Sequence, residues 1–481
     1  MKLETTIGLE IHVELNTKSK MFCGCSTDFG GNPNERTCPV CLGFPGVLPV
    51  PNREAISSAI MLALALNCKI TPRSLFHRKN YFYPDMPKNY QISQYDIPLS
   101  TDGWLEIDMG EYRRKVGIIR VHLEEDTGKS IHVGESGRIY GSEYSFEDFN
   151  RAGIPLVEIV TRPDIRSPEE ARVFLQSLRD MIVWLGISDC KMEEGSLRCD
   201  ANISLSQDGS SGTKVEIKNM NSFRSLKRAL DYEVERQRKT IEEGEEILQE
   251  TRHYDEAKGQ TYPLRSKEEA FDYRYFPEPD LVPIEPDEAW VEEIKSRIPE
   301  LPSARRDRYC SQFGLPYDLC SVLTREREIG DFFERAVEHG GDPVEIAKWI
   351  SGDITSLLKE KDTKIENCPV SPEGLSELVQ LIQSGEISGK MAKEILIEAF
   401  ASGRQPSEIV RKKCLSQLSD EDELKRIAYE VIEANPQAVS DFRSGKEQAI
   451  KFLMGQVMKK TKGKANPEVA SKLLREIISE R

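Results

Sequence analysis

Long apolar runs are missing from this 481-residue chain. A membrane-spanning helix needs roughly 20 consecutive apolar residues, and the longest candidate, at positions 56–66, is too short. The N-terminal segment carries an acidic residue at position 4 and has no apolar stretch of the secretory kind, so we expect no signal peptide. These absences predict a cytoplasmic protein that makes no contact with a membrane.

Positive charge is also scarce, since 66 lysines and arginines face 81 aspartates and glutamates and leave a net charge of −15. This balance excludes a protein that coats nucleic acid without specificity, because neutralising phosphates requires clustered Lys and Arg. It leaves room for RNA binding at a local basic patch. The 11 cysteines are odd in number and mostly scattered, which argues against a disulfide framework.

A phosphate-binding P-loop is absent as well. The segment 128–130 (Gly-Lys-Ser) resembles the end of that motif, but Leu123 stands where its first glycine belongs. A nucleotide site in this chain must therefore be of another kind. The Gly/Ser segment 209–212 resembles part of the amidase-signature hydrolases, yet alternating strands flank it, and a hairpin turn is the preferred interpretation. A hydrolase built on Ser210 and Ser211 is the weaker alternative.

Two kinds of periodicity divide the chain. Period-two alternation predicts strands at 6–15, 118–123, 201–205 and 214–218, and helical stretches intervene at 53–66, 168–185 (capped by Ser167) and 225–242. From Trp290 onward apolar residues recur every three to four positions, which predicts helices at 344–358, 372–384, 389–401, 421–435, 445–460 and 467–478.

The predicted fold class is therefore α+β. We expect a mixed α/β cradle domain around a mostly antiparallel sheet at residues 1–290, followed by an all-α helical domain at 291–405 and an all-α tail domain at 406–481. The proline-rich stretch 275–286 is the expected exit from the first domain.

The first predicted strand has two unlike faces. Residues 7, 9, 11, 13 and 15 are apolar and should pack inward, which leaves Glu10, His12 and Glu14 on the opposite face at steps of roughly 7 Å. Carboxylate and imidazole groups on one strand face can form part of a divalent-metal site, and oxygen-rich ligands favour Mg²⁺ or Mn²⁺. Taken alone, a solvated face is the simpler interpretation.

Other predicted strands carry similar groups. Polar residues alternate with apolar ones at Arg120, His122 and Glu124, at Asp200, Asn202 and Ser204, and at Lys214, Glu216 and Lys218. Several strands that each offer acidic and basic groups on one face indicate a polar cradle instead of a solvated surface. Such a floor can hold a metal-bound nucleotide, with lysines contacting its phosphates.

Four cysteines stand apart from the scattered ones, namely Cys23, Cys25, Cys38 and Cys41. Two closely spaced pairs separated by a loop rich in Gly, Pro and Asn fit a closed tetrahedral Zn²⁺ site within residues 23–41. Four thiolates satisfy the ion fully, so its role would be structural. The alternative is four unligated surface cysteines in a reducing compartment.

Basic residues and five aromatics interleave in the proline-broken segment 78–95. Exposed aromatics beside lysines and arginines can bind nucleotide bases or phosphates. Aromatics in loops also form small satellite cores. The sequence favours neither interpretation over the other.

Several of these segments resemble a known protein family. The stretches 7–12, 78–95, 122–126, 192–204, 218–223 and 272–281 are similar to the B subunit of the bacterial glutamyl/aspartyl-tRNA amidotransferases. Residues 455–467 resemble the tail domain of that family, which YqeY-like proteins share. The resemblance extends from residue 4 to about residue 478.

The resemblance implies one component of a multi-chain enzyme. In this family, the B subunit uses ATP and Mg²⁺ to phosphorylate the side-chain carboxylate of Glu-tRNA(Gln) or Asp-tRNA(Asn), and ammonia then displaces the phosphate. The products, Gln-tRNA(Gln) and Asn-tRNA(Asn), serve translation. The implied partners in a heterotrimer are an amidase-signature glutaminase (the A subunit), which releases the ammonia, and a small third chain (the C subunit). The alternative is a scaffold that only presents tRNA to a catalytic partner.

The resemblance also implies roles for individual residues. It assigns catalysis and Mg²⁺ binding to Glu10, His12, Glu125, Asp200 and Glu216. It thereby prefers Glu125 over Glu124, a choice that strand alternation leaves open.

Further implied residues lie outside that set. The resemblance associates Lys79 and Lys88 with the ammonia path and its gate. Zinc-binding cysteines occur in some members of the family only, and because all four are present here we expect an occupied site. The tail is expected to bind tRNA through its basic patch, formed by Lys459, Lys460, Lys462 and Lys464.

Overall fold

The computed structural model describes residues 3–133, 142–207, 212–266, 273–413, 421–444, 446–461, 465 and 467–480. They belong to two compact units, Met1–Leu301 and Pro302–Arg481. The first unit is built around β-strands, whereas the described part of the second unit is helical. This change of character along the chain confirms the predicted α+β class.

The described part of the first unit contains these strands: β1 (Leu3–Glu14), β2 (Lys69–Ile70), β3 (His77–Asn80), β4 (Tyr90–Ser93), β5 (Ser100–Asp108), β6 (Arg113–Glu125), β7 (Lys129–Val133), β8 (Tyr144–Asp148), β9 (Pro155–Thr161), β10 (Leu197–Gln207), β11 (Val215–Lys218), β12 (Glu250–Asp255), β13 (Gln260–Ser266) and β14 (Phe276–Pro277). Its helices are α1 (Arg53–Ala65), α2 (Pro168–Trp184), α3 (Phe223–Glu242) and α4 (Glu288–Ser296).

The second unit contains these helices: α5 (Pro302–Gln312), α6 (Tyr317–Leu323), α7 (Arg327–Glu338), α8 (Pro343–Trp349), α9 (Thr355–Glu360), α10 (Pro372–Gln383), α11 (Gly389–Ser402), α12 (Pro406–Lys413), α13 (Glu421–Ala434), α14 (Pro436–Arg443), α15 (Gln448–Lys460) and α16 (Pro467–Glu480). None of the helices in the described ranges is long and apolar enough to cross a lipid bilayer.

In the part of the chain that the structure describes, the main sheet has nine strands in the order β13-β12-β11-β10-β1-β9-β6-β5-β2. Its neighbouring strands run antiparallel except β11 and β12, which are parallel. The mostly antiparallel sheet is thus confirmed, and β1 occupies its centre. The predicted strands fall within β1, β6, β10 and β11, each extended or trimmed by a few residues.

The alternation of β1 sorts its side chains as predicted. The apolar residues Ile7, Leu9, Ile11, Val13 and Leu15 are at most 3% exposed and belong to the core of the first unit. Helices α1, α2 and α3 supply the other side of this core. The opposite face of β1 therefore remains available for polar groups.

Helix α2 shows how the local sequence determines where one of these helices begins and which side of it packs on the core. Its N-cap Ser167 accepts a hydrogen bond from the Glu170 amide at 3.1 Å, and Pro168 occupies the first helical position, where no amide is needed. Phe174 and Leu178 lie one turn apart and are fully buried. The cap was predicted from the sequence and is confirmed.

A three-stranded sheet in the order β14-β3-β4 packs against the end of β6. The side chain of Gln91 donates to the Glu125 carbonyl at 2.7 Å, and the Ile92 amide donates to the Glu125 carboxylate at 2.9 Å. These bonds fix the last residues of β6, where two glutamates lie side by side.

One of the helices predicted in the second unit has a different form in the structure. The single helix expected at 344–358 is divided into α8, a π-helical turn at Ile350–Ile354, and α9. The Thr355 hydroxyl donates to the Ile350 carbonyl at 2.6 Å, and the Ser351 hydroxyl donates to the Ala347 carbonyl at 2.6 Å. Hydroxyls that compete for helix carbonyls in this way accompany the widened turn.

Replacing Ser167 with Ala removes the acceptor at the start of α2. We expect the free energy of unfolding of the first unit to fall by about 1 kcal/mol. Urea unfolding followed by tryptophan fluorescence measures it, because Trp104, Trp184 and Trp290 lie in this unit. Ser167→Asp keeps an acceptor and serves as the control. An unchanged midpoint for Ser167→Ala would contradict the capping role.

Candidate active site and cysteine cluster

The polar face of β1 lies between strands that present charged residues of their own. His12 lies opposite Arg198 of β10 on one side and Glu158 of β9 on the other. Glu158 in turn lies opposite His122 of β6. Residues in register on antiparallel strands share a face, so the sheet places these four side chains in one row.

Two members of this row form a compact group with Glu124 of β6. His12, Glu124 and Glu158, called the His12 cluster below, each offer one ligand atom, and these atoms lie within 4.8 Å of one another. His12 Nε2 lies 3.5 Å from Glu124 Oε1 and 3.3 Å from Glu158 Oε2. Two carboxylates and one imidazole at this spacing form a suitable donor set for a divalent cation.

The charged groups of the cluster shift each other's pKa values. Burial alone lowers the pKa of His12, but the hydrogen bond to Glu158 and the charge of Glu124 outweigh it and raise the pKa above its ordinary value. Burial disfavours ionised Glu158, yet His122 and His12 hold the pKa of Glu158 well below its ordinary value. Glu158 is therefore anionic at neutral pH, the form that binds a cation.

A pair of carboxyl groups next to the cluster positions an arginine. Burial and the neighbouring Asp126 raise the pKa of Glu14 to about 8. Burial opposes ionisation of Asp126 too, but Arg198 and Arg151 lower the pKa of Asp126 to about 2. The Arg198 guanidinium lies 2.8 Å from Asp126 Oδ2. Asp126 thus anchors Arg198 on the strand position opposite His12.

The other predicted residues of this face lie toward β10 and β11. Glu10 is in register with Asp200, and its Oε1 accepts a hydrogen bond from Asn202 at 3.0 Å. Lys218 forms an ion pair with Asp200, and its Nζ lies 3.2 Å from Glu216 Oε1. Burial lowers the pKa of Lys218, but the two carboxylates raise it by more and keep the ammonium charged. This part of the face therefore carries more acidic than basic groups.

Glu125, the residue preferred by the family resemblance, joins a different group of side chains. Its carboxylate forms an ion pair with Lys88 and accepts the Ile92 amide. Consecutive residues of a strand point to opposite faces, so only one of two adjacent glutamates can face His12. The structure places Glu124 there, not Glu125.

A cavity of about 200 Å³ lies beside the Lys88–Glu125 pair. Its lining includes Lys20, Cys41 and Tyr90, so it extends from the ion pair to the cysteine loop. Both partners of the ion pair are nearly buried, with side chains 8% and 4% exposed. A small polar molecule in this cavity would meet a lysine and a carboxylate.

Lys79 of β3 lies near the His12 cluster. Burial lowers the pKa of Lys79, but Glu124, Tyr275 and Glu158 raise it above its ordinary value. Its Nζ also lies 5.0 Å from the ring centroid of Tyr273. Lys79 is therefore a charged neighbour of the cluster on its aromatic side.

Cys23, Cys25, Cys38 and Cys41 come together as predicted, and their sulfur atoms all lie within 4.8 Å of one another. Cys38 Sγ and Cys41 Sγ are 3.9 Å apart. Four thiolates around Zn²⁺ at ~2.3 Å lie about 3.8 Å apart, so the observed spacing fits that ion.

A buried lysine supports this cluster. Lys20 is 1% exposed, and its Nζ lies 3.7 Å from Cys41 Sγ and 3.1 Å from the Phe149 carbonyl. A hydrogen bond from Cys23, the Cys38 amide and the charge of Lys20 lower the pKa of Cys41 to about 5 against the effect of burial. The loop thus holds one thiolate beside a fixed positive charge.

Part of the predicted tRNA-binding patch can be located. Lys459 and Lys460 are exposed at the end of α15, and Lys460 Nζ lies 2.7 Å from Glu430 Oε2. Lys462 and Lys464 lie outside the described residues, as does the segment 208–211 with its two serines. Strands β10 and β11 pair antiparallel on either side of that segment, as a hairpin requires.

Sequence reasoning missed Glu158. It lies in β9, whose seven residues are all buried, and its neighbours on both sides are apolar. A single glutamate in a buried, mostly apolar strand is a signal, because an unpaired buried carboxylate is costly. The strand order that brings it beside His12 is not a local property of the sequence.

The fold and the site together define a class of protein. It is an α+β protein whose mostly antiparallel sheet and adjoining loop carry, within the described residues, two clusters of side chains able to hold a metal ion. A family model described as the GatB/GatE catalytic domain matches residues 5–292, and a second, described as the GatB domain, matches residues 331–478.

Curated relatives cover the whole chain. The B subunit of the aspartyl/glutamyl-tRNA(Asn/Gln) amidotransferase of Carboxydothermus hydrogenoformans is 52% identical over 479 residues, which is 99% of each chain. Proteins of the same name from Moorella thermoacetica and Geobacillus thermodenitrificans are 53% and 51% identical over 99% and 100% of this chain and 100% of theirs. This chain therefore belongs to the B-subunit family of the aspartyl/glutamyl-tRNA amidotransferases.

Replacing Lys88 with Met leaves the Glu125 carboxylate buried without its cation. We expect the free energy of unfolding to fall by roughly 3–5 kcal/mol, because the buried carboxylate would keep its desolvation penalty without the cation that compensates it. Urea unfolding measures the loss. The double variant Lys88→Met/Glu125→Gln should recover most of it. Equal losses in the single and double variants would show that the pair is not coupled.

Proposed function

We propose that this chain activates the side-chain carboxylate of a misacylated tRNA at the His12 cluster, with ATP as the phosphoryl donor. The observation that carries the proposal is the convergence of His12, Glu124 and Glu158 within 4.8 Å on the polar face of the sheet. The matched catalytic domain spans this face, and the relatives are named as tRNA amidotransferase subunits.

The donor set of the cluster fits Mg²⁺ or Mn²⁺, because carboxylate oxygens dominate it. When bound, such an ion neutralises negative charge on the phosphates of ATP. His12, Glu124 and Glu158 would hold it, and His12 would release its proton as the ion binds. His122 stays within 3.3 Å of Glu158 and orients that carboxylate.

The cations around the cluster would help the two negatively charged substrates to approach each other. A carboxylate is a poor electrophile, so its oxygen must first attack the terminal phosphorus of ATP, which breaks the bond to ADP. Lys79 and Arg198, both charged and both beside the cluster, lower the repulsion between the two anions. Ammonia then attacks the acyl carbon, phosphate leaves, and a proton is lost from nitrogen to give the amide.

The ammonia is proposed to come from a glutaminase partner, the A subunit, in a heterotrimer with a small C subunit. The cavity beside Lys88 and Glu125 supports a path for it, since charged side chains form part of its lining and Glu125 belongs to β6, the strand that carries Glu124. We assign Glu125 to this path on its contacts, and not to the metal site.

Glu158→Gln and Glu124→Gln in the assembled complex test the activating site. Each replaces a carboxylate ligand of the proposed metal ion with a neutral amide, so we expect amidation and ATP cleavage to fall by roughly 10²-fold or more. Glutamine hydrolysis and tRNA affinity should stay within about twofold of wild type, since these variants change no residue proposed for either. Glu4→Gln, an exposed change on the same strand as His12, is the matched control.

The same experiment distinguishes this proposal from the alternative of a non-catalytic scaffold. A scaffold that merely presents tRNA would keep full ATP cleavage and amidation in both variants. Glu125→Gln separates the two glutamates further. It should impair amidation driven by glutamine more than amidation driven by added ammonium salt, whereas Glu124→Gln should impair both equally. Equal behaviour of the two variants would place both glutamates in one site.

We further propose that the four clustered cysteines hold one structural Zn²⁺. Cys38→Ser and Cys41→Ser should each lower zinc in the purified chain from one ion per chain to well below it, as measured by elemental analysis. Cys68→Ser, a buried cysteine outside the cluster, is the control. Substoichiometric zinc in a fully folded wild-type chain would contradict the site.

We propose that the chain accepts both misacylated tRNAs, because the relatives are named for both. Amidation of Glu-tRNA(Gln) and Asp-tRNA(Asn) by the complex, each with and without ATP, tests the substrate class directly. The exposed Lys459 and Lys460 support tRNA binding by the tail, as do the lysines that follow them in the sequence.

A further inference from the structure

Tyrosines from three segments gather beside the His12 cluster. The rings of Tyr95 and Tyr275 are stacked, with centroids 4.2 Å apart and planes at 7°. Tyr273 lies 6.1 Å from Tyr275, and Tyr81 lies 6.2 Å from Tyr273, both edge to face. Tyr81 and Tyr95 belong to the basic and aromatic segment 78–95, for which the sequence left two interpretations open.

This group differs from an aromatic core of the same protein. In the second unit, Tyr309 and Phe333 are fully buried and pack at 60° with centroids 5.0 Å apart. Tyr95, by contrast, is 55% exposed although it is stacked in parallel. A satellite core buries its rings. Here the half-buried Tyr275 covers one face of Tyr95, and the exposed Tyr95 ring offers its other face to a further ring.

The pair is also linked to the chemistry of the site. Lys79 lies 5.0 Å from the Tyr273 ring and is a charged neighbour of the His12 cluster. Tyr95 follows Ser93 of β4 by two residues, and the Ser93 hydroxyl donates a hydrogen bond to Glu124 Oε2 at 3.2 Å. The stack therefore stands next to the place where the carboxylate would be activated.

We propose that the Tyr95–Tyr275 stack binds the adenine of the 3′-terminal adenosine of the tRNA. This inference rests on the proposed function. The amino acid is esterified to the ribose of that adenosine, so the base must lie near the amino acid whose carboxylate reaches the His12 cluster. Unpaired nucleotides at RNA ends are recognised by stacking on exposed aromatic rings, whereas small nucleotides are commonly enclosed in a cleft.

The test combines one protein change with one RNA change. In the assembled complex, Tyr95→Ala should weaken binding of deacylated tRNA(Gln) about tenfold, since stacking on one base contributes an effect of this order. Removal of the terminal adenosine should weaken wild-type binding by a similar factor. It should then have no further effect in Tyr95→Ala, because both changes remove the same contact. Tyr95→Phe, which keeps the ring, should bind as wild type.

Tyr144→Ala is the matched control, since Tyr144 is 52% exposed and packs edge to face on Phe146 of its own strand, β8. Additive effects of the protein and RNA changes overturn the proposal, as does unchanged tRNA affinity in Tyr95→Ala. A rise in the KM for ATP with unchanged tRNA affinity also overturns it, because the stack would then serve the other adenine. Binding is measured without turnover, so the tRNA-binding result can be interpreted even if the proposed activation of the carboxylate is wrong.

Discussion

The register of the central strand β1 is the constraint on which the rest of this structure depends. Its side chains alternate between a core in which Ile7 and Ile11 are fully buried and a polar face that carries Glu10 and His12. A slip of one residue would exchange the two faces, and the loss of buried apolar area would oppose it strongly. The hydrophobic core therefore fixes the position of each functional group on β1 indirectly.

Two neighbours convert that face into a site. Strands β10 and β9 flank β1 and set Arg198 and Glu158 on either side of His12. Glu158 lies in a strand that is buried along its whole length, yet His12 and His122 supply it with partners. Buried charge of this kind is tolerated only when it is paired, so the site and its support form one electrostatic unit.

Much of this arrangement follows from the sequence, and the reasons for the rest are physical. Period two revealed the polar face of β1 and the strands that carry Asp200 and Glu216. The spacing of four cysteines indicated the cluster that the structure shows. Glu158 was missed because adjacency of β9 and β1 depends on the path of the chain over long distances. The π-helical turn was missed because apolar spacing does not report which carbonyl a hydroxyl engages.

The adjacent positions of Glu124 and Glu125 restrict how the sequence of this protein can evolve. A strand advances about 3.4 Å per residue and turns each successive side chain to the other side. Covalent geometry, not packing, thus sets the distance between the group beside His12 and the group beside Lys88. Substitution can alter either glutamate alone, but an insertion or deletion within β6 displaces both together. The spacing between the two environments is therefore inherited as one unit, even though a substitution can change the chemistry of either one alone.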